Sequence, residues 1–204
     1  MKPRDRAFGL TGDAPAPEAL LEAARQAFGE RGFSGARVDD AMRRAAAGPD
    51  ARWPGRVRMD ELFVALWQRH EASHADAARR AVTQARESGV TDPATLFEAG
   101  SRAFLQGSWL RRDLALLFSS PDGPAELTAI RQHRRRVWLH RNAVLLCLDD
   151  KPEDRLHTAV LTTLIGRGAR EVAVAADFRQ ARAVTDAVVG YARLLLASRP
   201  GAAA

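Results

Sequence analysis

Three observations predict an all-helical protein. Apolar residues recur at three- and four-residue spacing along most of the chain, which is the period of one buried helix face. No run shows the sustained alternation of β-branched residues that a half-buried strand requires. Gly and Pro gather at a few points and cut the periodic pattern into helix-sized pieces. The chain has 204 residues, enough for a small domain and a larger one. The punctuation suggests a flexible N-terminus over 1–14, a small module over 15–58, a helical body over 59–198 and a frayed tail over 199–204.

The first helix is LLEAARQAFGERGF, with Leu20, Leu21, Ala24, Ala27 and Phe28 on one face. It ends at Arg31-Gly32, where the Gly can take the left-handed backbone that closes a helix and Phe33 can fold back onto the apolar face. A short second helix follows, with Asp39 and Asp40 in its first turn, as the helix dipole favours, and with Met42 and Ala45 expected to face inward. Next comes Gly48-Pro49-Asp50-Ala51-Arg52-Trp53-Pro54-Gly55. Pro49 is tolerable in a first helical turn, whereas Pro54 removes a backbone donor and drives Trp53 from helical angles, so a third helix here is short and ends near Trp53. Helix, turn and short helix in this order read as a helix-turn-helix module.

The body continues with one long helix over Asp60 to Glu87, with Leu62, Phe63, Leu66, Trp67 and His70 on a stripe. Ser88-Gly89 through Pro93 breaks it, and Asp92 is placed to cap the next helix, from Pro93 to about Gln106 with Leu96, Phe97, Phe104 and Leu105 inward. A further helix spans Trp109 to Phe118, and the turn Ser119 to Pro124 leads into another that reaches about Leu148. Its run Arg131 to Arg136 reads as a solvated charged face, with Val137, Leu139 and Val144 opposite. The last two helices, about Glu153 to Val174 and Phe178 to Ala197, carry long apolar stripes.

Leu-Leu-Glu-Ala-Ala, then Phe28-Gly-Glu-Arg-Gly-Phe33, then Val38-Asp-Asp-Ala, then Glu61-Leu-Phe63 resembles, without a gap, the N-terminal DNA-binding domain of TetR/AcrR-type bacterial transcriptional regulators. The chain departs from that family in the recognition segment, where Gly48 replaces the usual Ser cap, Pro54 interrupts the helix and Met59 replaces a phosphate-binding Lys. The resemblance implies a regulator, in most such cases a repressor, that binds a palindromic operator in double-stranded DNA as a homodimer and responds to a small-molecule effector. Arg37, Arg52, Trp53, Arg56 and Arg58 are the DNA-facing candidates, since arginine suits phosphate and the acceptor edge of guanine. Trp53 could equally plug the core of the module. The resemblance also places effector binding in the middle helices, where Trp67, Phe97, Phe104, Trp109, Phe118 and Trp138 supply aromatic surface and His74, His133, His140 and Arg102 are polar anchors. An aromatic stripe at helical spacing is also what an ordinary core contains. The dimer interface implied by the family involves Leu161, Leu164, Ile165, Val184, Val188, Tyr191 and Leu195, with the alternative that these stripes close the monomer core. Two reading helices held about 34 Å apart reach both halves of a palindrome.

Net charge is +6, carried by arginine because Lys2 and Lys151 are the only lysines. From Arg31 to Arg58 seven Arg face three Asp, so this segment alone holds +4. No apolar run approaches the ~20 residues of a membrane span, no signal-peptide pattern opens the chain, and Cys147 alone cannot form an internal disulfide, so a cytoplasmic protein is expected. No cofactor is expected. A remote alternative comes from His70-Glu71-Ala-Ser-His74, which matches the H-E-x-x-H pattern of zinc hydrolases but lacks the extended signature, with Ala77 and Arg80 where Gly and His would follow. A nearer alternative is a helical small-molecule-binding protein whose DNA module has degenerated and binds without specificity.

Overall fold

The computed structural model describes residues 18–45 and 57–198, whose regular structure is all helical, with no strand among them. Eight helices follow in order: α1 (Glu18–Gly35), α2 (Val38–Ala45), α3 (Met59–Glu87), α4 (Pro93–Leu110), α5 (Arg112–Ser119), α6 (Leu127–Leu145), α7 (Pro152–Val174) and α8 (Phe178–Ala197). The short third helix anticipated near Trp53 lies outside the described residues. None of these helices is long and apolar enough to cross a membrane.

The described residues form two compact units. The smaller comprises the chain up to Arg69 together with Ser120–Pro124, and the larger comprises His70–Ser119 and the chain from Ala125 onward. Helix α3 contributes residues to both.

Punctuation sets most boundaries as the residues dictate. Asp92 caps α4, its carboxylate accepting from the Thr95 N–H at 2.8 Å, and Asp177 caps α8 by accepting from the Gln180 N–H at 2.7 Å. Pro93 and Pro152 occupy first turns, where their missing N–H costs nothing. One boundary differs from expectation: α4 runs through Gly107 to Leu110 and breaks only at Arg111. Gly107 is buried inside the helix, and packing decides its state against its weak helix propensity.

The core of the larger unit lies among α4, α7 and α8, with Leu105, Leu161, Val172, Val189 and Ala192 almost wholly buried. Helix α7 packs on α8, α4, α5 and α6. The tightest approach is at Gly168, where an added Cβ would sit 2.7 Å and 2.9 Å from the two γ-methyls of Val188. A side chain here must push α7 and α8 apart or force Val188 from its rotamer. Gly168→Ala is therefore expected to cost about 1–3 kcal/mol. Adding Val188→Ala removes the clash, so urea unfolding of the double variant should show less loss than the sum of the two single changes.

Candidate nucleic-acid interface and buried histidine site

The smaller unit is organised by three rings. Phe28 and Phe33 stack with centroids 6.0 Å apart, and Phe63 meets both edge-on at 5.5 and 5.2 Å. These spacings suit aromatic pairs, whose ring edges are electropositive and faces electronegative. Phe33 reaches the cluster because α1 breaks at Gly32, whose φ of 70° and ψ of −179° place it in an extended region that only glycine occupies freely, not in the left-handed helical region anticipated. Beyond the break, Asp122 accepts from the Ser34 N–H at 3.1 Å and from the Ser34 hydroxyl. These bonds to Ser34 hold the Asp122 carboxyl below the usual carboxylate range. In α2 the buried residues are Ala41 and Ala45, with Met42 only half-buried.

The arginines of this segment are largely paired. Asp40 sits between Arg31 and Arg43, Glu30 holds Arg44 through two bonds of 2.7 and 2.6 Å, and Asp60 holds Arg58 at 3.0 and 2.5 Å. Extending the Arg31-to-Arg58 window to include Glu30 and Asp60 lowers its charge from +4 to +2. Arg37 is exposed and takes part in none of these pairs, while its carbonyl receives the Asp40 and Ala41 N–H groups at the start of α2. Arg52, Trp53 and Arg56 lie outside the described residues.

A second site lies within the larger unit. His70 and His74, one turn apart on α3, have ring centroids separated by 4.4 Å. His70 packs 5.3 Å from Phe118 of α5, His74 packs 4.5 Å from Phe104 of α4, and Phe104 meets Trp138 of α6 edge-on at 5.3 Å. The two imidazoles are 6% and 1% exposed, yet His70 Nδ1 and both ring nitrogens of His74 have no hydrogen-bond partner among the described residues. Arg111 Nε is also buried without one. Gly107 makes the approach possible, because a Cβ there would lie 3.1 Å from Arg111 Nη2 and 3.5 Å from His74 Cε1. Glu71 pairs with Arg134 of α6, and both are less than a fifth exposed.

Burial, then the neighbouring His74, Arg111 and Arg134 charges, lowers the His70 pKa to about 3. Burial, then the Arg111 charge, lowers that of His74 to about 4. Both rings are neutral at pH 7. Leaving three imidazole nitrogens unpartnered in the interior is costly, about 1–3 kcal/mol for each orphaned group.

The remaining effector candidates separate. Phe97 belongs to the α4–α7–α8 core, with Trp109 packed against that core and capped by the Arg112 guanidinium at 4.4 Å. Trp67 is half-buried in the smaller unit. Three expected anchors stand elsewhere: His133 and His140 are exposed on α6, and Arg102 pairs with exposed Asp186. The dimer candidates also divide. Leu161, Ile165 and Val188 are buried in the core of their own chain, because α4 covers that stripe, and they are not available to a partner. Leu164, Val184 and Leu195 are half-buried, and Tyr191 is 61% exposed. On α6, Val144 faces solvent, and the buried positions are Leu127 and Ile130. Within the His70-Glu71-Ala-Ser-His74 pattern, Glu71 pairs with Arg134, and among the described residues no three His, Cys, Asp or Glu side chains converge.

Sequence reasoning missed Arg111, Arg134 and Gly107 as parts of the histidine site. No periodicity marks them, and the one available signal was the pairing of His70 with His74 at one-turn spacing.

No family model and no curated protein matches this chain. Among solved structures, it is similar in fold to a TetR-like transcriptional regulator from Rhodococcus sp. RHA1, with a TM-score of 0.67 and 21% identity over 89% of this chain and 95% of that one. The likeness is one of all-helical fold and extends over nearly the whole of both chains.

The buried histidines set a pH dependence. Their folded-state pKa values lie below the ordinary value of 6.5, so the unfolded chain binds more protons between about pH 4 and 6.5, and stability falls as pH drops through that window. The slope has an upper bound of about 2.7 kcal/mol per pH unit for two protons. Urea unfolding at pH 7 and pH 5 should show this loss in the natural protein and a smaller one in His74→Leu.

Proposed function

We propose that this protein is a DNA-binding transcriptional regulator, acting as a homodimeric repressor on a palindromic operator and released by a small molecule. The observation that carries this reading is the correspondence in fold, over most of both chains, with a TetR-like regulator. The N-terminal module supports it: its aromatic trio ties α1 to the start of α3, α2 packs on α1, and Arg37 is exposed at the start of α2. Arg37, Arg52, Trp53, Arg56 and Arg58 are assigned to the DNA-facing surface. The ion pairs around them are no obstacle. Exposed pairs contribute only about 0.2–1 kcal/mol each, and phosphates can replace carboxylates as partners while counterions are released.

Dimerisation is assigned to the face of α7 and α8 that the chain's own core does not cover. Leu156, Val160 and Val174 on α7 and Tyr191 and Leu194 on α8 are 42–67% exposed, a concentration of large apolar groups that a partner surface would bury. Gly166 and Gly190 have open space where a Cβ would stand, which permits close approach of a second pair of helices. An effector bound in the larger unit would act by favouring one of two dimer arrangements that differ in the separation of the DNA-reading modules.

Selection from a random-sequence DNA library over a series of salt concentrations tests the reading, with enrichment of a palindrome as the expected result. Weak, salt-sensitive binding without sequence preference would instead leave a degenerate module. On a selected site, Arg37→Ala is expected to reduce the slope of log affinity against log salt by about 1. Tyr191→Glu with Leu194→Glu should give a monomer by light scattering that keeps its helical content and loses palindrome binding.

A further inference from the structure

The buried histidine cluster carries more chemical information than the ligand-responsive reading uses. Its walls are the rings of Phe104, Phe118 and Trp138, and its polar groups come from three places. Helix α3 supplies His70, Glu71 and His74, the end of α4 brings Arg111, and α6 contributes Arg134, with the Arg141 guanidinium also 5.8 Å from the Trp138 ring. Helix α5 adds only the Phe118 ring to His70, and the Phe118 carbonyl accepts from Arg131. Glu71 and Arg134 offset one another, which leaves Arg111 as the positive charge nearest His74. Three imidazole nitrogens and Arg111 Nε lack a hydrogen-bond partner among the described residues, while the Glu71 carboxylate is set against Arg134; each neutral imidazole offers one donor and one acceptor, a protonated one offers two donors, and the guanidinium only donates.

We propose that His70, His74 and Arg111 form the recognition site for an effector bearing one carboxylate on a flat, apolar or aromatic body. This rests on the ligand-responsive reading and specifies its ligand. A carboxylate has only acceptor lone pairs, so it matches N–H donors from the imidazoles and from Arg111. The aromatic rings would bury the body of the ligand, and its negative charge complements the guanidiniums of Arg111 and Arg141, for which the cluster supplies no acid. Buried polar atoms that have no partner among the described residues gain one on binding. An uncharged amide would offer weaker acceptors, and an amine would place a second cation beside Arg111. Because an anion favours the imidazolium form, binding draws a proton onto the histidine pair. Glu71, Arg134 and Arg111 are the other charged groups that face the histidine pair.

The test is calorimetric titration of the full-length protein with benzoate and naphthoate, with their amides and with the corresponding arylmethylamines. Titrations at pH 6 in two buffers of different ionisation enthalpy report proton uptake, and the same compounds are added to protein bound to its selected DNA. The carboxylates are expected to bind with uptake of up to about one proton, to release DNA, and to bind about tenfold more weakly to His74→Leu and to Arg111→Met. His74→Leu should keep or raise its melting temperature, since it removes orphaned polar atoms, which separates loss of recognition from loss of fold. Amides or amines that bind and release DNA as well as the acids, or carboxylate affinity unchanged in both variants, would overturn the carboxylate assignment and leave ligand response standing. Failure of every compound to bind or to release DNA at millimolar concentration would overturn the assignment and count against the ligand-responsive reading as well.

Discussion

The contact between Gly168 of α7 and Val188 of α8 sets the spacing on which the larger unit is built. Where a glycine backbone meets a short β-branched side chain, the distance between the helices has little room to vary, unlike that between pairs separated by long side chains. Helix α4 lies against both, and Leu105, Leu161, Val172 and Val189 fill the space among the three with no appreciable exposure. Fully burying each such side chain contributes about 1.5–3 kcal/mol. Once α4 is seated, its Gly107 faces His74, and the absence of a side chain at that point admits the imidazole and the Arg111 guanidinium together. The polar cluster is thus a consequence of apolar packing elsewhere.

The two units differ in how they handle charge. In the smaller, acids and arginines meet at the surface, where water and salt screen them and a change of partner costs little. In the larger, Glu71 and Arg134 are largely withdrawn from water, and removing either alone would strand a buried charge. A surface meant to exchange partners and an interior meant to hold a fixed geometry call for these opposite arrangements.

Much of the fold was legible because its punctuation is local. Asp92 and Pro93 mark a helix start whose physics involves only neighbouring residues, and α4 begins where they say. The end of α4 was not legible, since Gly107 reads as a break until the group packed against it is known. Helices α7 and α8 each carry two apolar stripes, and periodicity cannot rank Leu161 and Ile165 against Leu156 and Val160. What ranks them is α4, a helix fifty residues away in sequence, which covers one stripe and leaves the other bare. The histidine pair was visible as a motif, but the residues that determine its chemistry come from other helices and carry no pattern of their own. Arg52, Trp53 and Arg56, on which the DNA-facing assignment leans most, fall outside the described residues.

Gly32 shows how narrow a requirement one residue can meet. Its φ of 70° and ψ of −179° mirror the comfortable extended backbone of an ordinary residue, and a natural Cβ there would also lie 2.7 Å from Asp122 Oδ2. What the position selects is therefore handedness more than size. A mirror-image alanine would adopt the same angles without strain and turn its methyl away from the carboxylate, whereas natural alanine meets both obstacles at once. The turn that brings Phe33 onto Phe28 and Phe63 is in this sense a small piece of opposite chirality built into an otherwise right-handed chain.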